Sequence, residues 1–143
     1  MILATHYRRI VLVSGWYDLI VTIGFVTPWT FAAIFGVMQW AAQTWGLAGD
    51  LPAFGPMHVM MANMVGAVSV LWAVVRIRDP QTLFGRYDAV ARLLIASLQI
   101  YAVMHGASTL ILGFAVFEIL FCILQSLPIQ KGSEQGSERQ LAQ

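Results

Sequence analysis

Charge is what this sequence has least of. Eight Lys and Arg and seven Asp and Glu make up 10% of its 143 residues, where a soluble domain carries about 25%. The basic residues fall in short clusters, so no stripe can be assembled to follow a phosphate backbone, and a nucleic-acid partner is not expected. Cysteine is nearly absent too. The single Cys122 excludes an internal disulfide and any cysteine-based metal cluster. Nucleotide loops, zinc-ligand spacings, hydrolase elbows and kinase motifs are also missing, so no cofactor is named by any motif.

Apolar residues fill the gap, at 59% of the chain. Four segments, 10–27, 58–75, 88–106 and 109–127, are each long enough for a helix of about 27 Å, close to the hydrocarbon thickness of a bilayer. Arg8 and Arg9 precede the first, but its apolar run outlasts a signal peptide's and lacks a small-residue cleavage site, so it reads as a retained transmembrane helix. Pro28 and Pro128 close the first and last segments, and "RIRDPQTLFGR" (76–86) separates the middle pair. Within that loop, Asp79 and Pro80 suggest the N-cap and first residue of a short helical turn. The expected fold is all-α: a four-helix transmembrane bundle, one domain over 1–128, followed by a disordered cytoplasmic tail over 129–143.

Residues 29–47, "WTFAAIFGVMQWAAQTWGL", admit two placements. As a fifth span they would carry the Arg76–Arg92 loop outside. As an interfacial or re-entrant helix they suit their tryptophans, Trp29, Trp40 and Trp45, and preserve the charge bias. With four spans, Arg8, Arg9, Arg76, Arg78, Arg86, Arg92, Lys131 and Arg139 all fall on one side, and loops 28–57 and 106–108 have no basic residue. This positive-inside pattern predicts a multi-pass protein of the bacterial inner membrane with both termini cytoplasmic.

Against that background the ionisable residues inside the apolar runs stand out. Asp18 lies in "SGWYDLIVTIGFVTPW" (14–29), and each span carries one stripe of small or polar residues. The stripes run Ser14, Asp18, Thr22; His58, Ala62, Gly66, Ser69, Ala73, Arg76, with Asn63 beside them; Asp88, Arg92, Gln99; and Ala115, Glu118, Cys122, Gln125. In lipid such stripes turn inward, where small residues let helices approach and polar groups find partners. Counting along the helices puts Asp18 about 13 Å and Glu118 about 15 Å from opposite edges, so both acids lie near mid-bilayer. Arg92, about 9 Å in, can reach Asp18 if their helices are neighbours. Asp18, Asn63, Arg92, Gln99 and Glu118 are therefore the expected ligand-binding set. The plainer alternative is an ion-pair and hydrogen-bond network that fixes helix register.

Other features weigh less. His58 and His105 fall at the outer helix ends and could serve as metal or haem ligands only without a motif's support; interfacial placement is the simpler account. Asp88 and Arg92 have the ordinary i,i+4 spacing. "GWYDLI" (15–20) and "GRYDAV" (85–90) share Gly, Tyr and Asp. Duplication of a helix pair or chance would each leave such an echo.

The "TPW" interruption after the first segment, the "PMHVMMANMVGA" opening of the second and the short "RIRDP" loop resemble the DoxX/DoxD-like group of small bacterial membrane proteins. The likeness spans residues 8–128 and lies in layout. It implies a quinone-linked or redox-accessory subunit and carries no site residue with it. The leading expectation is an intramembrane polar pocket for a lipophilic ligand, a quinone or a lipid, in an accessory of a redox or envelope system. Membrane lipid, a homo-oligomer or a partner membrane subunit are the associations it would make. A second expectation is an isomerase or cyclase acting on an apolar substrate, with Glu118 as general acid or base and Asp18 as its partner. The third is a structural membrane subunit without a ligand. A proton-coupled transporter fits less well, because four short spans would need to oligomerise to form a path.

Overall fold

The computed structural model describes residues 2–130. Its regular elements are helices apart from two short strands: β1 (Ile2–Leu3), α1 (Ala4–Thr22), α2 (Pro28–Thr44), α3 (Pro56–Arg78), α4 (Thr82–Met104), α5 (Ile111–Ser126) and β2 (Ile129–Gln130). A 3-10 turn, Ile23–Phe25, extends α1.

Two helices, α3 and α4, are long and apolar enough to cross a membrane, and α1 with α2 qualifies only as a pair bent by 104°. The shorter α5 spans about 24 Å for its 16 residues. Local chemistry sets the break between α1 and α2. Thr27 is the N-cap of α2, its Oγ1 accepting from the Thr30 amide at 3.2 Å, and Pro28 starts the helix where its missing N–H costs nothing. The break strands the Phe25 carbonyl, and Asn63 Nδ2 of α3 donates to it at 2.7 Å. Gly66, one turn further along α3, admits the Phe25 backbone. A Cβ there would lie 2.7 Å from the Phe25 carbonyl carbon and oxygen.

α2 then runs across one end of the bundle. The segment after it is tied to the α4–α5 turn, where the Asp50 amide donates to Gly106 O (2.9 Å), Ser108 N to Asp50 O (3.1 Å) and Thr109 N to Ala48 O (2.8 Å). At the opposite end β1 and β2 pair in parallel, Ile2 with Ile129 and Leu3 with Gln130. The tail expected from residue 129 therefore yields its first two residues to the ordered domain, because Ile129 gains a backbone partner; residues 131–143 lie outside those described. The expected 76–86 loop is also shorter than the sequence suggested. α3 continues through Arg78, Asp79 is its C-cap, and only residues 79–81 separate it from α4, whose N-cap is Gln81.

α1 packs on α3 and α4 on α5, while α3 and α4, though consecutive, share no extended contact. They meet near their linked ends through Trp72 and Phe84, ring centroids 5.8 Å apart. The distribution of polarity is inverted relative to a water-soluble fold. Arg76 is 0% and Arg92 2% exposed, whereas Leu98 is 68% and Met104 78% exposed.

Candidate functional site

Among the described residues, the interior of the bundle holds five charged side chains from four helices. Arg92 of α4 donates to three carboxylates: from Nη2 to Asp18 Oδ2 (2.6 Å), from Nε to Asp88 Oδ2 (2.8 Å) and from Nη1 to Glu118 Oε2 (2.7 Å). Arg76 of α3 joins the same network, bonding Asp18 through Nη2 and Asp88 through Nη1. Asp88 also accepts from Trp72 Nε1 at 2.9 Å. Aromatic faces shield the guanidinium groups, Arg92 lying 4.9 Å from the Phe121 ring centroid and Arg76 5.6 Å from that of Trp72.

A neutral network continues from the charges toward the end that carries β1 and β2. Ser14 Oγ accepts from Arg76 Nη1 (3.2 Å) and Gln125 Nε2 (2.7 Å) and donates to Val11 O (2.9 Å). Tyr7 donates to Gln125 O at 2.7 Å. Arg86 caps α5 by donating to Gln125 O (3.0 Å) and Leu127 O (2.8 Å). These bonds satisfy carbonyls that the end of a helix would otherwise leave open.

On the α2 side of the charges lies a cavity of about 610 Å³, within the size range of small-molecule sites (about 300–1,000 Å³). Apolar residues from every helix wall it, including Val21, Phe25, Met38, Met61, Val65 and Phe114. Its polar lining is sparse: Thr22, His58, Ser69, Gln99 and Glu118. Arg76 and Arg92 do not line it. Glu118 therefore stands between the two regions, one oxygen on Arg92 and its body in the cavity wall. Gln99 Oε1 is buried with no partner among the described residues.

The expected site residues thus divide. Asp18, Arg92 and Glu118 come together, with Arg92 as the bridge between the two acids. Gln99 and Glu118 line the cavity. Asn63 does not; it faces a groove on another side of α3 with Pro28, Val59 and Met60, and serves the α1–α2 break. As for the histidines, His58 lines the cavity, edge-on to Phe54 with ring centroids 6.0 Å apart. His105 is exposed, stacked on Tyr101 at 4.0 Å, with Nδ1 2.8 Å from the Tyr101 carbonyl oxygen. Among the described residues no three His, Cys, Asp or Glu side chains gather to hold a metal.

Arg76 and Asp88 belong to the site as fully as Asp18, and the sequence expectation omitted them. Arg76 counts in the positive-inside tally, and Asp88 only as an ordinary i,i+4 partner of Arg92. Two signals pointed to them: Arg76 closes the small-residue stripe of α3, and the GxYD echo sets Asp88 beside Asp18. Both aspartates contact both arginines.

No family model, curated protein or solved structure matches the chain.

Proposed function

We propose that this chain is a small four-span protein of the bacterial inner membrane whose open-sided cavity binds a lipophilic ligand, a quinone or a lipid. In this arrangement α1, α3, α4 and α5 cross the bilayer, α2 is a re-entrant or interfacial lid, and both termini face the cytoplasm. The cavity carries the proposal. It is largely apolar, of ligand size, roofed by Met38 of α2 and Phe54, and reaches two ionisable groups, Glu118 and His58. The exposed Leu, Ile, Val and Met of α3 and α4 favour lipid outside, because water would meet them at full hydrophobic cost. Arg8, Arg9, Arg78 and Arg86 lie toward the end that carries β1 and β2, in keeping with the positive-inside rule. The layout resembling DoxX/DoxD-like proteins supports an accessory role in a redox or envelope system.

The enzyme alternative finds Glu118 in the cavity wall but loses its partner. Asp18 bonds Arg76 and Arg92 rather than Glu118. The structural alternative is favoured by the same ion cluster, which ties four helices together whatever the cavity holds.

Native mass spectrometry of the full chain, released from nanodiscs of bacterial lipid, separates these accounts. A retained lipophile is expected on the wild type and not on Ala62→Phe, which fills the cavity from α3 without touching the ion cluster. Equal retention by both proteins would overturn the proposal, and retention by neither would leave the structural account standing in its place.

A further inference from the structure

The formal charges in the interior do not balance. Asp18, Asp88 and Glu118 bring three carboxyl groups, and Arg76 and Arg92 bring two guanidinium groups. The two aspartates and two arginines are matched, each aspartate bonded to both arginines. Glu118 is the surplus acid, held among the described residues by Arg92 alone, and it is the one that lines the cavity. In a region of low dielectric, an uncompensated carboxylate draws a cation or a proton donor far more strongly than it would in water.

A second observation points the same way. Gln99 Oε1 is a buried acceptor without a donor, on the helix that supplies Arg92. A buried acceptor of this kind is costly unless a ligand or a water donates to it. Arg92 directs Nε, Nη1 and Nη2 onto carboxylates, and among the described residues no arginine or lysine lines the space, whose one basic side chain is the exposed His58 at the start of α3. A ligand headed by phosphate, sulfate or carboxylate would meet the Glu118 carboxyl there with no guanidinium or ammonium to balance it. α3 and α4 share no extended contact, and Met61, Val65 and Ile95 of these helices line the cavity and are exposed. That is a surface for an alkyl or isoprenoid chain.

We infer that the cavity takes a single-chain amphiphile with a cationic, hydrogen-bond-donating head, a long-chain amine, whose head meets Glu118 and Gln99 while its chain lies between α3 and α4. The inference rests on the cavity being a ligand site and specifies what the site selects. It distinguishes an amine from a quinone, which presents only acceptors, and from a phospholipid, whose phosphate would be unpaired.

Calorimetric titration of the full chain in phosphatidylcholine nanodiscs tests it, with empty nanodiscs as the reference for partitioning. Three probes share one chain length: dodecylamine, dodecanol and dodecanoate. Dodecylamine is expected to saturate at one per chain, dodecanol to bind about tenfold more weakly or worse, as loss of a charge-assisted hydrogen bond implies, and dodecanoate not to bind. Glu118→Gln should bring dodecylamine down to the level of dodecanol and leave dodecanol unchanged. This variant leaves the two aspartates and two arginines matched, so the bundle is retained. Gln99→Leu, which keeps the charges intact, should weaken dodecylamine independently. Equal binding of the three probes, or preference for dodecanoate, would overturn the amine assignment, and if Ala62→Phe still abolished that binding the cavity would survive as a lipophile site. Binding that Ala62→Phe does not change would remove the cavity site and the amine assignment together.

Discussion

Arg92 has three carboxylates around one guanidinium and Arg76 has two, so neither can be removed quietly. Replacing Arg92 by Met leaves Glu118 without its only partner among the described residues, and Asp18 and Asp88 with one arginine each. Breaking a buried pair from one side costs about 3–5 kcal/mol. Arg92→Met is therefore expected to lower stability by about that much, measured by chemical unfolding of the detergent-solubilised protein. Adding Glu118→Gln should recover part of the loss, because the second change removes the charge that the first exposed. Additive effects would show that the two side chains do not interact. At this scale the sequence carried much of the site. Helical spacing placed Asp18, Arg92 and Glu118 on inward stripes, and depth counting brought Asp18 within reach of Arg92, which lies 2.6 Å away. Arg76 was obscured because an arginine at the edge of an apolar run looks the same whether it points to water or folds back inside. Its partners on α1 and α4, Asp18, Ser14 and Asp88, hold it inward, with α1 brought close to α3 where Gly15 meets Ala73 and Ile77.

Among the elements, the junction of α1, α2 and α3 shows how much depends on the absence of a single methyl group. Gly66 faces the backbone of Phe25, which cannot rotate out of the way as a side chain could. Gly66→Ala is expected to destabilise the fold by about 1–3 kcal/mol through overpacking. Gly113 of α5 has nothing within 4 Å of a built Cβ, and there the same substitution should stabilise by about 0.5–1 kcal/mol through helix propensity. Thermal unfolding of the two variants side by side checks both signs. Helix number and order were legible from apolar runs and prolines, but helix ends were not. The sequence placed the start of α4 near residue 88, and it begins at Thr82, since "TLFGR" is as compatible with a helix as with a loop and Pro80 alone fixes the break. The role of Asn63 was equally hidden, because a polar residue on an inner face serves a ligand or a stranded carbonyl with the same side chain.

The whole molecule is organised by an axis whose two ends differ. One end carries the β1–β2 pair and the 79–81 link; the other carries α2 and the joined 48–50 and 106–109 segments. In the proposed membrane setting, single cysteines introduced at Gln81 and Asp50 in a Cys122→Ser background should react with an impermeant maleimide from opposite faces, Gln81 from the cytoplasm. Labelling of both from one face would refute the four-span arrangement. The interior charges are also divided along the chain. Residues 4–78 hold Asp18 and Arg76, which bond each other, and α4 brings Asp88 and Arg92 one turn apart and already bonded. In that proposed setting, each of these pairs would enter lipid with its counter-ion as the growing polypeptide is threaded in. Glu118, on the last of the described helices, would arrive with none of its own, so its passage would depend on an arginine that earlier segments have already set in place.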